Sequence, residues 1–144
     1  MDVALELIRE LSQDKDKMWV VGGGEVVSEN NSKGIKEPEV SKGYVTIEAD
    51  NWHFHIKLEA VDGVQFVEAE SHGDMKSYYV RFSKGWEETL ARCYFPSPYL
   101  DDNHKRTPLQ KERLQAFMDM RDRYVDREGV KFVRRAAAQP AAAS

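Results

Sequence analysis

Apolar and polar residues alternate without a break from Asn51 to Glu59. Trp52, Phe54, Ile56 and Leu58 fall on one side and His53, His55, Lys57 and Glu59 on the other. A period of two belongs to a strand, whose side chains point to opposite faces in turn. The segment therefore predicts a half-buried strand with both histidines on its polar face. Similar runs lie near 43–48, 64–70, 75–83 and 88–95, divided by turn signals at Ala49-Asp50-Asn51, Asp62-Gly63, His72-Gly73-Asp74 and Lys84-Gly85. These connections are too short for helical crossovers, so the pattern predicts an antiparallel meander and disfavours a parallel sheet. In the fourth run Tyr78, Val80 and Phe82 alternate with Ser77, Tyr79 and Arg81. In the fifth, Ala91, Cys93 and Phe95 alternate with Leu90, Arg92 and Tyr94.

The period changes at the two ends. Leu5, Leu7, Ile8 and Leu11 predict a short amphipathic helix that stops near Asp14-Lys15-Asp16-Lys17. Strand character follows in Met18-Trp19-Val20-Val21, and Gly22-Gly23-Gly24 leads into Glu25-Val26-Val27. No helix follows the glycines and neither GxGxxG nor GxxxxGK[ST] is present, which favours a hairpin turn or bulge over a phosphate loop. The polar stretch Ser28 to Glu39 reads as a surface loop. Pro96-Ser97-Pro98 ends the sheet, because proline offers no ladder donor. Thr107-Pro108-Leu109-Gln110 carries a capping-box pair around a first-turn proline and predicts the start of a second helix. Leu114, Phe117, Met118, Tyr124 and Val125 form its apolar stripe, which ends before Gly129. The expected fold class is α+β, a curved antiparallel sheet packed by N-terminal and C-terminal helices over residues 1–130. A low-complexity tail with nothing to bury is expected over 131–144.

A chain of 144 residues, 41% hydrophobic and 32% charged, has the composition of one ordinary globular domain. Its 21 basic and 25 acidic residues give a net charge of −4, so the overall field does not favour nucleic acid. The single Cys93 leaves no intramolecular disulfide framework, no zinc ribbon and no CxxC, and fits a reducing cytoplasm. Acids run through the opening Met1-Asp2-Val3-Ala4-Leu5-Glu6-Leu7-Ile8-Arg9-Glu10, which predicts a mature helix and not a secretory signal. No apolar run approaches the roughly 20 residues of a membrane span.

Chemistry concentrates on the histidine strand. Side chains at i and i+2 start about 6.6 Å apart, close enough for two imidazoles to chelate one metal in cis. Opposing axial ligands of one haem iron must come from opposite sides of the ring, so one protomer offers at most one of the pair as axial ligand. Lys57 and Arg81 project from polar strand faces and suit carboxylates. Tyr78 and Tyr79 suit stacking on a macrocycle or ligation of iron through oxygen. His72 sits in a turn beside Gly73, where it can reach over a pocket, and His104 lies in a charged loop. No catalytic set emerges. The serines lack a GxSxG setting, Cys93 lies mid-strand as a buried inert thiol, and Glu87-Glu88 and Asp101-Asp102 are adjacent, solvated acids.

The order Gly43-Tyr44, His53-Phe54-His55-Ile56-Lys57-Leu58, Gln65-Phe66-Val67-Glu68, Gly73 and Ser77-Tyr78-Tyr79-Val80-Arg81-Phe82 resembles the intracellular haem-utilisation carrier family of the ChuX/HutX type, with its HemS-like fold. Ala116-Phe117 matches an Ala-Phe pair on that family's closing helix, and the likeness covers roughly residues 43–125. Phe82-Ser83-Lys84-Gly85-Trp86 and Tyr94-Phe95-Pro96-Ser97-Pro98-Tyr99 depart from the family's pattern. The resemblance implies a homodimeric cytoplasmic carrier, not an enzyme, that takes up haem or a related tetrapyrrole and hands it on. By position it makes His53 and His55 the candidate haem residues, with Lys57 and Arg81 near them, and Tyr79 and His72 complete the candidate cofactor-binding set. Two other readings stay open. His53-x-His55-x-x-x-Glu59 also matches the H-x-H-x₃₋₄-E core of the cupin motif, which would make the protein a non-haem enzyme holding a divalent transition metal. Alternatively, the sheet serves a ligand-free oligomeric interaction module.

Overall fold

The computed structural model describes residues 2–22, 25–70 and 75–136. In chain order the elements are α1 (Asp2–Leu11), β1 (Met18–Gly22), β2 (Val27–Asn31), β3 (Glu39–Ser41), β4 (Tyr44–Glu48), β5 (His53–Lys57), β6 (Gly63–Glu70), β7 (Lys76–Lys84), β8 (Glu88–Tyr94), α2 (Lys111–Tyr124) and β9 (Val130–Arg135). Six strands make one sheet in the order β2-β1-β8-β7-β6-β9, and β3-β4-β5 make a second. The fold is α+β, as the pattern of periods implied. No helix among the described residues is long and apolar enough to cross a membrane.

The core lies between the two sheets and under the helices, where the apolar half of each alternating segment collects. Val45, Ile47 and Ile56 from the small sheet meet Trp19, Phe66, Val80, Phe82 and Cys93 from the large one. Trp19 stands 5.6 Å from Phe54 and 6.0 Å from Phe82, ring centre to ring centre, and so bridges the two sheets. On α1, Val3, Ala4, Leu7, Ile8 and Leu11 are buried, the three-and-four spacing of one helix face. On α2 the buried residues are Phe117, Met120 and Tyr124, and Phe117 packs on Phe66, Tyr78 and Phe95. The helices are clamped to each other at their polar edges. Arg123 and the Tyr124 hydroxyl both donate to the Glu10 carboxylate, and Arg127 pairs with Glu6 at 2.6 Å.

Three features differ from the sequence expectations. First, the domain does not end at 130. Val130–Arg135 forms β9, which lies parallel to β6 with Phe66 opposite Phe132 and Val67 opposite Val133. Helix α2 carries the chain back to make that parallel pair possible, and every other strand pair is antiparallel. Residues 137–144 of the expected tail lie outside the described residues. Second, the expected loop from Ser28 to Glu39 begins inside a strand. β2 is built of polar residues, since its ladder with β1 uses backbone groups and it stands at the sheet edge. Its closing pair, Gly22 opposite Val27, makes the expected hairpin. Gly22 has a φ of 93°, and a Cβ there would stand 2.6 Å from the Val26 carbonyl oxygen, so only glycine turns this corner. Gly23 and Gly24 lie outside the described residues. Third, the capping box does not form. α2 starts at Lys111 after an uncapped Gln110, whose side chain donates instead to the Leu100 carbonyl at 2.7 Å and to Thr107 Oγ1 at 3.1 Å.

Candidate functional site

β5 places its residues as alternation requires. Ile56 is buried and Phe54 half-buried toward the core, while His53, His55 and Lys57 are exposed on the outward face of the small sheet. The antiparallel register sets Glu48 opposite His53, Thr46 opposite His55 and Tyr44 opposite Lys57. The two imidazoles stand 5.3 Å apart, edge to face. Thr46 Oγ1 lies 2.8 Å from His55 Nδ1. When the hydroxyl oxygen accepts the Nδ1 proton, Nε2 keeps its lone pair and points away from the hydrogen-bonded side of the ring, the arrangement a ligating imidazole needs. Lys57 Nζ pairs with Glu59 at 3.1 Å with both groups well exposed, an ion pair that water screens and that a competing anion can open.

Glu59 does not extend the strand face. The strand stops at Lys57, residues Leu58–Ala60 form a 3₁₀ turn, and the Glu59 carboxylate is held by Lys57. Among the described residues no group of three or more His, Cys, Asp or Glu comes together as a metal site. The cupin-type trio of His53, His55 and Glu59 is therefore not assembled.

Arg81 and Tyr79 lie elsewhere. On β7 they alternate with Val80 and Phe82, which belong to the core, so they project from the opposite, outward face of the six-stranded sheet. The small sheet's histidines and the large sheet's Arg81 are thus separated by the full thickness of the core. Lys57 stays with the histidines, and Arg81 and Tyr79 do not join them within one chain. Tyr78 faces the core beside Phe117, and its hydroxyl is held well above the usual phenol range by burial and by the nearby Glu68 charge. His72 lies outside the described residues. His104, at a φ of 61°, lines a separate cavity of about 330 Å³ with Met18, Tyr94, Phe95 and Leu100. Cys93 is fully buried, and burial pushes its thiol up, as an inert core cysteine requires.

The outward face of the large sheet is itself built. Val20, Val67 and Tyr79 are buried there yet stand outside the main core cluster. Tyr79 packs tilted against Tyr94, ring centres 4.6 Å apart, and the Arg92 guanidinium lies over both rings at 5.9 and 5.8 Å. Thr46, Arg92 and Arg135 are the contributors that strand alternation alone does not single out. Thr46 becomes visible only through the β4–β5 register, and Arg135 only once β9 is known to be a strand.

A protein-family model, described only as a "-like" family, matches residues 5–128, most of the chain. No curated protein matches the sequence. Solved structures share the fold. A protein from Agrobacterium tumefaciens is 22% identical with a TM-score of 0.62, over 85% of this chain and 66% of that one. ChuX is 15% identical with a TM-score of 0.62, over 88% of this chain and 72% of its own. A protein from Erwinia carotovora is 12% identical with a TM-score of 0.59, over 85% and 70%. The chain spans about two thirds of the length of these neighbours, and at such identities the likeness is one of fold.

Proposed function

We propose, starting from the fact that the chain belongs to the family whose model spans residues 5–128, that it binds haem or a related tetrapyrrole on the outward face of β4 and β5. The proposal makes it a homodimeric carrier and not an enzyme, with His55 as the iron ligand. Its fold is shared with ChuX, the type of carrier that the order of its strand motifs resembles. One observation carries the reading, the 2.8 Å contact between Thr46 Oγ1 and His55 Nδ1 on an exposed strand face. It orients one imidazole and leaves its second nitrogen open, whereas His53 has no such partner among the described residues.

When bound, the iron supplies an open coordination position for an imidazole nitrogen. His55 offers Nε2 from a ring fixed by Thr46. His53, 5.3 Å away, packs edge to face against that ring and limits its rotation. Tyr44, exposed on the same face two residues before Thr46, offers an aromatic surface for the macrocycle. Lys57 would exchange its Glu59 partner for a side-chain carboxylate of the tetrapyrrole, a swap between two solvated ion pairs that is close to neutral in energy and therefore reversible. A carrier must release what it binds, and an exposed face with a single protein ligand suits release better than an enclosed pocket.

The test is a hemin titration of the full chain followed in the visible region. Saturable binding with a shifted Soret band is expected for the wild type, with the shift lost in His55→Ala and retained in weakened form in His53→Ala. No Soret shift in the wild type, or an unchanged one in His55→Ala, would overturn the assignment.

A further inference from the structure

The outward face of the six-stranded sheet carries a cluster of arginines, and the acids of that face, Glu29 and Glu87, form no ion pair with them among the described residues. Arg81 sits in mid-sheet with Arg92 of β8 on one side and Gln65 of β6 on the other, and Arg135 of β9 lies further along the same face. Arg81 is only 5% exposed. Its hydrogen bonds go to neutral oxygens, from Nε to Thr89 Oγ1 at 2.6 Å and from one terminal nitrogen to Gln65 Oε1 at 3.0 Å. Arg92 donates to the Tyr94 hydroxyl at 3.2 Å, and its buried Nε finds no hydrogen-bond partner among the described residues. Arg135 donates to the Tyr79 hydroxyl at 3.3 Å. Among the described residues no carboxylate forms an ion pair with any of the three.

The physical chemistry of this arrangement is unfavourable on its own. A guanidinium withdrawn from water needs an opposite charge or a full set of acceptors, and placing like charges beside it adds repulsion. The surroundings bear this out, since burial together with the Arg135 and Arg92 charges holds Arg81 below the usual guanidinium range despite the helpful Tyr79 hydroxyl. The three arginines border a cavity of about 490 Å³, into which Gln65, Thr89 and Trp86 also face, and Glu87 is the one acid on its wall. At the cavity's edge Lys131 lies over the Trp86 ring at 4.2 Å and adds a fourth cation nearby.

We infer that this cavity is an oxyanion site, in which Arg81, Arg92 and Arg135 receive the phosphate or carboxylate group of a small acidic ligand, separately from the histidine face. Guanidinium forks match such groups in two-point hydrogen bonds, and a buried Nε–H without an acceptor is the donor such a ligand would satisfy. Thr89 and Gln65 fix Arg81 in place beforehand, so little side-chain freedom is lost on binding. Trp86, at the rim, offers a ring face for the organic part of the ligand.

Thermal unfolding of the full chain tests this, with inorganic phosphate and with succinate titrated separately against sodium chloride at matched ionic strength. A ligand that binds the folded state raises the midpoint with concentration. The expected result is a saturable rise with at least one of the two anions, at concentrations where chloride gives none. Phosphate acting alone identifies a phosphate-bearing ligand, and succinate alone a carboxylate. Arg92→Gln, which removes the unpartnered donor and leaves Arg81's bonds to Thr89 and Gln65 in place, is expected to weaken the effect by about tenfold or more. Lys36→Gln, which removes a loop cation paired with Glu48 of the small sheet, is expected to leave it unchanged. A midpoint that moves no more than in chloride for both anions overturns the inference, and so does a rise that survives intact in Arg92→Gln.

Discussion

The two sheets turn outward faces of opposite character to the solvent. On the small sheet, His53, His55 and Lys57 are exposed and make few contacts, chiefly the bond to Thr46 and the pair with Glu59. On the large sheet, Tyr79 and Arg81 are 3% and 5% exposed, and tyrosines and arginines interlock from β7, β8 and β9. The difference separates two kinds of candidate site. Exposed groups contribute little to stability and are free to take and release a ligand. The buried Arg81, by contrast, is part of the fold, held by Thr89 and Gln65 beside the less covered Arg92 and the exposed Arg135.

Substitution breaks this comparison most sharply at Tyr79. Tyr79→Ala removes a buried ring packed against Tyr94 and covered by Arg92, and is expected to cost about 3–5 kcal/mol in denaturant unfolding. His55→Ala should shift stability by no more than about 0.5 kcal/mol, as exposed substitutions do. A large loss at His55 would mean that the small sheet's face is structural.

Thr46→Val keeps the shape of the β4 side chain and deletes the hydroxyl that orients His55. Hemin affinity is expected to fall about 10-fold to 100-fold with the stability nearly unchanged, the pattern of a residue that acts through a ligand. An affinity equal to that of the wild type would show that His55 needs no orienting partner.

Ion pairs sharpen the contrast between covered and open charge. The hydrogen bond from Arg123 holds the Glu10 carboxyl below its ordinary value against the opposing effect of burial, with Tyr124 adding a second bond. A folded-state value below the unfolded one means stabilisation that is fully present above the ordinary carboxylate range and fades as pH falls through the folded value. Glu10→Gln is therefore expected to cost about 1 kcal/mol at neutral pH, with the gap from wild type closing in acid below about pH 4. The exposed Lys57–Glu59 pair should give the smallest effect, with Glu59→Gln leaving the unfolding midpoint at neutral pH nearly unmoved.

Much of this was legible in the chain. The alternation that marked 43–48, 51–59, 64–70, 75–83 and 88–95 located β4 to β8 within a few residues, because each of those strands buries one face and exposes or fills the other. β2 escaped because Val27-Ser28-Glu29-Asn30-Asn31 has no apolar side to bury, and its place is set by backbone pairing at a sheet edge. β9 escaped because the Arg-Ala-rich residues after it dominate the local composition, although Val130 and Phe132 alternate with Lys131 and Val133 in strand fashion. Alternation also put His53, His55 and Lys57 on one face. It put Arg81 and Tyr79 on a polar face too, but no local pattern says which sheet a strand will join. Only the pairing of β5 with β4, and of β7 with β6 and β8, sends the two sets to opposite sides of the core.

The separation of roles between these faces is tested most directly by one hemin titration, read at the Soret band, on His55→Ala and Arg92→Gln side by side with the wild type. His55→Ala is expected to lose the shifted band and Arg92→Gln to keep it with wild-type affinity. Loss of the band in Arg92→Gln while His55→Ala retains it would overturn this assignment and place the tetrapyrrole on the arginine face instead.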